Sequence, residues 1–304
     1  MKLSLIIPTY NCREYLDECL MSVINRMTDD IELIAVDDGS DDGTLDLLAP
    51  YKDMENVKVI ALEHRGASHA RNAGLDIAEG SYVTFMDCDD TLCEDFFKNS
   101  LPLIDRELDL YIFGFVRRYF DGKKKVQSLD NREYENISAF SDDFVRKGQM
   151  LIYSACNKFY RRDVIEENNI RFDESYAFGE DRLFNYSYLK YIDKIMTSDI
   201  IMFNYNQRSL TSMSTKTVPG YFDLAKMLHD KKVKCFLELS KGTTEEERKS
   251  FVENDLMVEI KMTIDRFDEH PNEKEENLPK IIDMLNDDNA PRDSIKKILQ
   301  ENNL

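Results

Sequence analysis

Tryptophan is absent from this sequence, and so is any apolar run of about 18 residues, the length that a membrane-spanning helix needs. Its 6 cysteines show neither a C-x-x-C pair nor a regular spacing, which argues against a zinc site and against a disulfide framework. The opening residues, MKLSLIIPTY, continue into Asn11 and Cys12 without the small-residue cleavage site that ends a secretory signal. These absences predict a cytoplasmic protein with reduced, mostly buried thiols.

Basic residues are also scarce, since 40 Lys and Arg stand against 59 Asp and Glu and give a net charge of −19. Nucleic acids and anionic membranes select basic surfaces, so neither is expected as the main partner. An anionic small substrate would need a metal or a local cluster of cations to be held. The chain of 304 residues, 42% of them hydrophobic, is long enough for one large domain, or for one of about 200 residues with an appendage.

The first 115 residues alternate short apolar runs with amphipathic segments, which is the pattern of a parallel sheet with crossover helices. The predicted strands are Leu3 to Pro8, Ile31 to Val36, Val57 to Ala61, Tyr82 to Met86 and Leu108 to Val116. Apolar residues recurring from Leu16 to Met27 predict a helix facing the sheet, and small residues from Ala67 to Ile77 predict a helix that packs closely. Asp121-Gly122 predicts a hairpin turn.

The character of the sequence changes after Pro219-Gly220, where charged segments with helical periodicity replace strand-like runs. We therefore predict an α/β domain over residues 1–218 and a helical C-terminal region over residues 219–304. Apolar residues between Val252 and Phe267 are too many for one narrow stripe, so this helix should bury more than one side. We expect the tail to pack on the α/β domain or on a second copy of the chain, as a homodimer. Its mixed charges do not favour binding to an anionic membrane.

Carboxylates cluster where two of the predicted strands end. The second strand runs into Asp37-Asp38-Gly39-Ser40-Asp41-Asp42-Gly43-Thr44, and the fourth into Asp87-Cys88-Asp89-Asp90. Asp, Gly and Ser also make good turns and helix caps, which would explain either cluster alone. Because the carboxyl ends of parallel strands line one crevice, both clusters together favour a shared site. Paired carboxylates bind Mg²⁺ or Mn²⁺, and such a metal bridges phosphate oxygens.

Four sequence strings together resemble the family 2 glycosyltransferases of the GT-A fold, in register over the first 95 residues and more weakly to about Ser214. They are Ile6-Ile7-Pro8-Thr9-Tyr10-Asn11; Val36-Asp37-Asp38-Gly39-Ser40 with Asp42-Gly43-Thr44; Ala70-Arg71-Asn72-Ala73-Gly74; and Asp87-Cys88-Asp89-Asp90. The resemblance implies an α/β fold of the GT-A type, a Rossmann-like, mostly parallel sheet flanked by helices, with a helical C-terminal appendage.

The resemblance also implies a nucleotide site. Its members would be Pro8, Thr9, Tyr10, Asp38, Arg71 and Asp87. The resemblance implies that the Pro8 loop lies against the nucleotide and that Asp87 faces the ribose. Asp38 would hydrogen-bond the base, and a carboxylate suits the imide N–H of uracil. Arg71 would sit by the nucleotide or its diphosphate, and its alternative is a surface arginine. Asp89 would ligate Mn²⁺ or Mg²⁺, whereas Asp90 is interpreted as a helix cap or a group that supports the ligand.

Farther along, Phe178-Gly179-Glu180-Asp181 resembles the family's Glu-Asp motif, in which the aspartate is the catalytic base. Inverting transfer is a single displacement, so the attacking hydroxyl must lose its proton to such a group. The alternative for Glu180 and Asp181 is a pair of helix-capping acids. Lys158 would reach a phosphate or a sugar on the acceptor side, or else belong to a basic surface turn. Arg208 falls in a loop that could close over the diphosphate.

The missing tryptophan also excludes the Gln-x-x-Arg-Trp motif of processive family members, so one sugar per encounter is expected. The resemblance implies a metal-dependent inverting glycosyltransferase that uses a nucleotide-sugar, with UDP favoured, and a glycan or lipid-linked acceptor in surface polysaccharide or glycoconjugate synthesis. It would act in the cytoplasm, or peripherally at the inner face of the membrane. The alternatives are a nucleotidyltransferase and a catalytically silent partner subunit of another transferase.

Overall fold

The structure is a computed structural model that describes residues 1–147, 150–207, 217–268, 270–287 and 290–304. Its strands are β1 (Leu3–Thr9), β2 (Ile31–Asp37), β3 (Val57–Ala61), β4 (Tyr82–Phe85), β5 (Thr91–Leu92), β6 (Leu110–Arg118), β7 (Lys124–Gln127), β8 (Arg132–Tyr134), β9 (Lys158–Arg161) and β10 (Ile195–Asn206). Its α-helices are α1 (Arg13–Ile24), α2 (Thr44–Leu48), α3 (Ala67–Ile77), α4 (Phe96–Ile104), α5 (Ile137–Lys147), α6 (Arg162–Glu167), α7 (Glu180–Tyr188), α8 (Tyr221–Leu239), α9 (Glu245–Asp265), α10 (Pro271–Asp283) and α11 (Arg292–Glu301).

In the described part of the chain the strands form one ten-stranded sheet, in the order β3-β2-β1-β4-β9-β6-β10-β5, with β7 paired to β6 and β8 to β10. Strands β1 to β4 are mutually parallel, β6 is parallel to β10, and β9 runs antiparallel between β4 and β6. Since β9 is antiparallel to both neighbours, β6 points the same way as β4. The carboxyl ends of β1, β2, β4, β6 and β10 therefore share one side of the sheet, called here the carboxyl edge.

The predicted core elements of this sheet are confirmed. Every residue of β1 and β2 is buried, as near-continuous apolar runs predict for strands covered on both faces. Helix α1 buries the predicted face through Leu16, Cys19, Leu20 and Val23. The small-residue face of α3 also packs as predicted, because a Cβ built on Gly74 would lie 2.5 Å from Cγ2 of Ile6 in β1. That distance leaves room for glycine alone.

The predicted turn at Asp121-Gly122 joins β6 and β7 as an antiparallel hairpin, with Arg118 opposite Lys124 and Val116 opposite Val126. Gly122 takes φ +81°, a left-handed conformation that glycine adopts without the steric penalty of a side chain. The short antiparallel strand β9 was not located by the sequence pattern. It lies between β4 and β6, so residues far apart in sequence meet at the centre of the sheet.

The chain divides into two compact units, Met1–Ile137 with Met150–Leu210, and Ser138–Gln149 with Thr211–Leu304. This division differs from the predicted boundary at residue 218, because the segment containing most of α5 belongs to the helical unit. Aromatic packing explains the assignment: Phe144 of α5 stacks on Phe236 of α8 with ring centroids 3.8 Å apart, and Phe251 of α9 packs against both rings.

The helical unit has its own apolar core, which α11, a helix that sequence periodicity missed, helps to close. Its buried members are Phe222, Leu256, Ile260, Ile264, Phe267, Ile281, Ile295 and Leu299. Helix α9 starts with a capping box between Thr244 and Glu247. It buries two adjacent rows, one apolar and one polar that includes Asp255 and Glu259. The prediction that this helix buries more than one side is wrong, because its buried residues form one wide face and Val258 is 40% exposed. The polar row within that face was not predicted.

Candidate active site

Two aspartates of the first acidic cluster build the loop after β2. Asp37 accepts hydrogen bonds from the backbone and the hydroxyl of Ser40, at 3.0 and 2.6 Å. Asp42 accepts from the backbone N–H groups of Arg13, at 3.0 Å, and Thr44, at 2.8 Å. For these two residues the turn-forming explanation is sufficient, since Asp37 holds Ser40 within the loop and Asp42 holds the starts of α1 and α2 in place.

Asp38 differs from its neighbours because its buried carboxylate faces the segment that leads into α3. Oδ1 accepts a hydrogen bond from the backbone N–H of Arg65 at 3.0 Å, and Oδ2 accepts one from that of Gly66 at 2.7 Å. The ring nitrogen Nδ1 of His64 lies 2.8 Å from Oδ2. These contacts fix the predicted base-binding carboxylate at the carboxyl edge, between the ends of β2 and β3.

The predicted nucleotide loop Pro8-Thr9-Tyr10 ends in an exposed aromatic ring beside Asp38. Pro8 and Thr9 are buried in β1, whereas Tyr10 is 46% exposed and stacks on His64 with centroids 4.0 Å apart and planes 14° apart. His64 is a site residue that the sequence pattern did not single out. It joins Tyr10 to Asp38, and the only sequence signal for it was its place just after a strand.

Arg71 connects the second acidic cluster to the Glu-Asp motif. Its guanidinium is buried and donates from Nη2 to Asp87 at 2.9 Å and from Nη1 to Glu180 at 3.1 Å. Nη1 is also 3.4 Å from Oδ1 of Asp181. The face of the cation lies over the ring of Phe172, 5.3 Å from its centroid. The structure therefore rejects the surface-arginine alternative and brings Arg71, Asp87, Glu180 and Asp181 into one cluster.

Asp181 does not cap α7 with a side-chain hydrogen bond, although its place in the first turn is one that the helix dipole favours. Helix α7 begins after Gly179, a residue with φ +84° that makes no side-chain cap, and both acids lie in its first turn. Oδ2 of Asp181 accepts a hydrogen bond from the backbone N–H of Ala155 at 2.9 Å. Oδ1 is buried and accepts no hydrogen bond within the described residues. One oxygen is thus held by the protein while the other keeps its acceptor capacity.

Both acids of this motif have raised pKa values. Burial raises the pKa of Glu180 to about 7, the Asp181 charge adds to the rise, and Arg71 opposes it. Burial also raises the pKa of Asp181, against the lowering effect of the Arg71 cation. Since a general base works best when its pKa is near the operating pH, these shifts suit proton abstraction at neutral pH.

Comparison with known proteins now decides the family. The family model described as Glycosyl transferase family 2 matches residues 4–168, more than half of the chain. The chain belongs to glycosyltransferase family 2. The match covers β1 through β9 and includes Asp38, Arg71, Asp87 and Asp89, so the predicted resemblance is confirmed.

Two relatives of this chain are themselves named as glycosyltransferases. Uncharacterized glycosyltransferase EpsJ of Bacillus subtilis is 28% identical over 228 residues, 70% of this chain and 64% of that protein. The poly(ribitol-phosphate) beta-N-acetylglucosaminyltransferase TarS of Staphylococcus aureus is 31% identical over 189 residues, 60% of this chain and 32% of that protein. The chain thus spans less than two thirds of the length of these curated relatives.

A solved structure confirms the fold class. The crystal structure of S. aureus TarS 1-349 in complex with UDP-GlcNAc matches with a TM-score of 0.66 at 25% identity, covering 84% of this chain and 72% of that chain. The α/β fold of the GT-A type and the helical C-terminal region are therefore as predicted. None of the helices described here is long and apolar enough to cross a bilayer.

The metal that the family resemblance implies finds a partial fit. Asp89 follows β4 at the carboxyl edge, and its backbone oxygen accepts a hydrogen bond from Asn206 at 3.1 Å. The neighbouring Asp90 is buried and accepts from the backbone N–H of Asn206 at 2.9 Å, which makes it a supporting group. In the described ranges no three His, Cys, Asp or Glu residues form a ready metal cluster. Metal binding through the Asp89 carboxylate, the ligand type that Mg²⁺ and Mn²⁺ prefer, therefore stays a prediction.

Lys158, which was predicted for the acceptor side, does not lie at the surface of the site, and the predicted role of Arg208 is not tested. Lys158 is fully buried, and its ammonium donates to the backbone oxygens of Leu151 and Ser154 and to the side chain of Asn157. All three donors are used, which argues against both predicted roles, the contact with a phosphate or sugar and the surface turn. Burial lowers the pKa of Lys158 to about 7. Arg208 lies outside the described residues.

Proposed function

We propose that this protein is a metal-dependent, inverting, non-processive glycosyltransferase. It moves one sugar from a UDP-sugar to a glycan or lipid-linked acceptor used in surface polysaccharide or glycoconjugate synthesis. The name of EpsJ supports the reaction class. The name of TarS, a transferase acting on a cell-surface polymer, and the UDP-GlcNAc bound to its structure support this choice of pathway and donor.

Oδ1 of Asp181 is the observation that carries the proposal. It is a buried carboxylate oxygen that accepts no hydrogen bond in the described structure. The Arg71 cation, 3.4 Å away, partly offsets its negative charge. Burial of an unsatisfied polar atom costs about 1–3 kcal/mol, which folding must offset. An acceptor hydroxyl would satisfy Oδ1 and give up its proton there. Arg71 would keep the two acids of the motif in position as the proton arrives.

The donor base would bind at Asp38. A carboxylate offers about four lone-pair positions, and Arg65, Gly66 and His64 occupy three of them. The fourth suits an N–H donor such as the imide of uracil, and the exposed ring of Tyr10 offers a surface for stacking. Asp87 has a side chain 38% exposed beside Arg71, which leaves an oxygen for a ribose hydroxyl.

Asp89 would hold Mn²⁺ or Mg²⁺ against the diphosphate. When bound, the metal supplies positive charge that stabilises the leaving group. In a chain with a net charge of −19, such a cation also offsets the repulsion between the protein and an anionic donor. The chain's own part is to present the Asp89 carboxylate, with Asn206 holding the backbone of that turn.

The test uses Asp181→Asn, which keeps size and hydrogen bonding but cannot accept a proton at neutral pH. We expect sugar transfer to fall by about 10² to 10⁴, the usual contribution of a general base, while UDP binding is unchanged. Asp283→Asn, at an exposed position near the end of α10, is the matched control and should leave both unchanged. Full transfer activity in Asp181→Asn would contradict the assignment of the base.

Metal dependence has a separate readout. UDP should raise the thermal midpoint of the protein in Mn²⁺ but not in EDTA, because only a ligand that binds the native state stabilises it. Asp89→Ala should lose this metal-dependent shift and keep the midpoint of the ligand-free protein. Equal stabilisation by UDP in EDTA and in Mn²⁺ would contradict the metal proposal without affecting the role of Asp181.

A further inference from the structure

The β6–β7 hairpin, residues 115–127, carries the two most exposed large apolar side chains of the described structure. Phe120 at its tip is 82% exposed and Val126 on β7 is 61% exposed. Single exposed apolar residues are common on protein surfaces and need no explanation. Two on one hairpin, both more exposed than Tyr10 of the candidate site, indicate a surface that is covered in use.

The same hairpin is basic in a chain that is strongly acidic. It contains Arg117, Arg118, Lys123, Lys124 and Lys125 against a single acid, Asp121, whereas the whole chain has a net charge of −19. The arginines are committed to the sheet. Arg118 donates to Asn204 at 2.8 Å and Arg117 lies over the ring of Tyr205 at 5.2 Å. The exposed charge therefore comes from the three lysines, one of which pairs with Asp121.

We propose that this hairpin docks the protein on an anionic lipid bilayer, with Phe120 in the interface and the lysines on the headgroups. Lysines on an edge strand also prevent edge-to-edge pairing, but that role does not require an exposed aromatic tip. A soluble polyanion would be bound by the lysines without Phe120. Apolar tip and flanking lysines together match an interfacial anchor, whose binding sums apolar burial and attraction to anionic lipid.

The hairpin lies on the same side of the sheet as the candidate active site. Strand β6 ends at the carboxyl edge, and Arg118 at its end is paired with Asn206 of β10. Asn206 in turn donates to the backbone oxygen of Asp89 and to the side chain of Asp90. A membrane bound at the hairpin would thus lie on the side of the sheet where the acidic cluster collects. The inference goes beyond the proposed transfer reaction, because lipid binding is measured without it.

The net charge of the protein does not prevent such binding. At physiological ionic strength the Debye length is about 8 Å, so a lipid surface senses mainly the charges closest to it. Each lysine near an anionic surface contributes about fivefold to binding, and burying a phenylalanine about tenfold or more. The sum describes a weak, reversible anchor.

The experiment is co-sedimentation of the full chain with vesicles of phosphatidylcholine containing about 30% phosphatidylserine. The wild-type protein should bind these vesicles and not pure phosphatidylcholine. Replacing Lys123, Lys124 and Lys125 by Gln should weaken binding by about 100-fold, and Phe120→Ser by about tenfold. Because these side chains are exposed, thermal midpoints should stay at the wild-type value.

The matched controls remove the same number of lysines, or one aromatic ring, from exposed positions outside the hairpin. Gln at the exposed Lys261, Lys296 and Lys297 removes equal charge, and Tyr191→Ser removes another exposed ring, 53% exposed. Neither control should alter binding. The proposal is overturned if the wild-type protein ignores anionic vesicles, or if the control variants lose binding equally. It is also overturned if only the lysine variant loses binding and polyphosphate displaces the protein, since that result assigns the hairpin to a soluble polyanion.

Discussion

Arg71 shows how one buried side chain can organise a site made from distant segments. It contacts Asp87, which follows β4. It also contacts Glu180 and Asp181 at the start of α7, and Glu180 lies 109 positions after Arg71 in the chain. A buried cation with no acidic neighbours would be costly, and so would three acids without the cation. Each part therefore needs the others, and Arg71 acts on the proposed base by holding it in place.

The raised pKa of Glu180 predicts a specific dependence of stability on pH. The folded chain keeps the Glu180 proton up to about pH 7, whereas an unfolded glutamate releases it near pH 4.3. The folded state binds more protons between these values, so the free energy of unfolding falls as pH rises through this window. Glu180→Gln should remove this fall and be the more stable protein at pH 8, by on the order of 1–3 kcal/mol.

Urea denaturation of both proteins at pH 5 and pH 8 measures this effect. Glu275→Gln, at an exposed position on α10, removes the same charge from the surface and should change the free energy of unfolding equally at both pH values. A Glu180→Gln variant that stays parallel to the wild type from pH 5 to pH 8 would show that Glu180 is already ionised at pH 5.

The sequence predicts the acidic residues of the site, because they stand in recognisable local strings. It does not predict the residues whose position depends on tertiary packing. Asp38, Asp87 and Asp181 stand in local strings whose type and order are informative. Lys158 resembles an accessible cation in sequence, yet β9 places it in the middle of the sheet. His64 gains its role only because β2 and β3 bring it beside Asp38. Neither placement has a local signal.

Among the elements, long periodic segments were predictable and short ones were not. The strands up to β4, the face of α1 and the helices α8 and α9 agree with the sequence pattern. Strand β9 has only four residues, too few for a period to be recognised. Helix α11 has ten residues and only a few apolar ones, so its role in closing the helical core depends on neighbours that sequence does not reveal.

The packing of α3 on β1 gives a prediction at this scale. Alanine normally favours a helix over glycine by about 1 kcal/mol. At Gly74, however, the added Cβ would lie 2.5 Å from Cγ2 of Ile6, a stiff side chain in a fully buried strand. We expect Gly74→Ala to lower the free energy of unfolding by about 1–3 kcal/mol, the usual cost of overpacking, as measured by urea denaturation.

The double variant with Ile6→Ala separates steric conflict from helix propensity. In the Ile6→Ala background the conflict is removed, so Gly74→Ala should become neutral or stabilising. The same loss in both backgrounds would mean that Gly74 is needed for a reason other than the closeness of Ile6.

On the scale of the whole molecule, the helical unit contains an early segment, α5, as well as the C-terminal helices, so these helices cannot be deleted without affecting α5. Deleting residues 219–304 would leave α5 without Phe236 and Phe251, the aromatic partners of Phe144. We expect the truncated chain to bind a hydrophobic dye and to aggregate in size-exclusion chromatography, because Phe140 and Phe144 would be exposed.

A rescue variant distinguishes this cause from a general loss of folding. Gln at both Phe140 and Phe144 in the truncated chain should reduce dye binding and restore a soluble species. A truncated chain that is soluble and monomeric without these changes would show that α5 does not depend on residues 219–304. Whether the full chain forms a homodimer stays a prediction, which the same chromatography of the intact protein addresses.

The order in which the helical unit appears also has a consequence on the ribosome. Helix α5 ends at Lys147, whereas its partner α8 begins only at Tyr221, about 70 residues later. At roughly 5–20 residues per second, α5 waits about 4–15 s for its partner while the strands of the other unit continue to emerge. During translation this exposed aromatic helix is a natural point for a chaperone to bind, and slow codons between these two helices would prolong that risk.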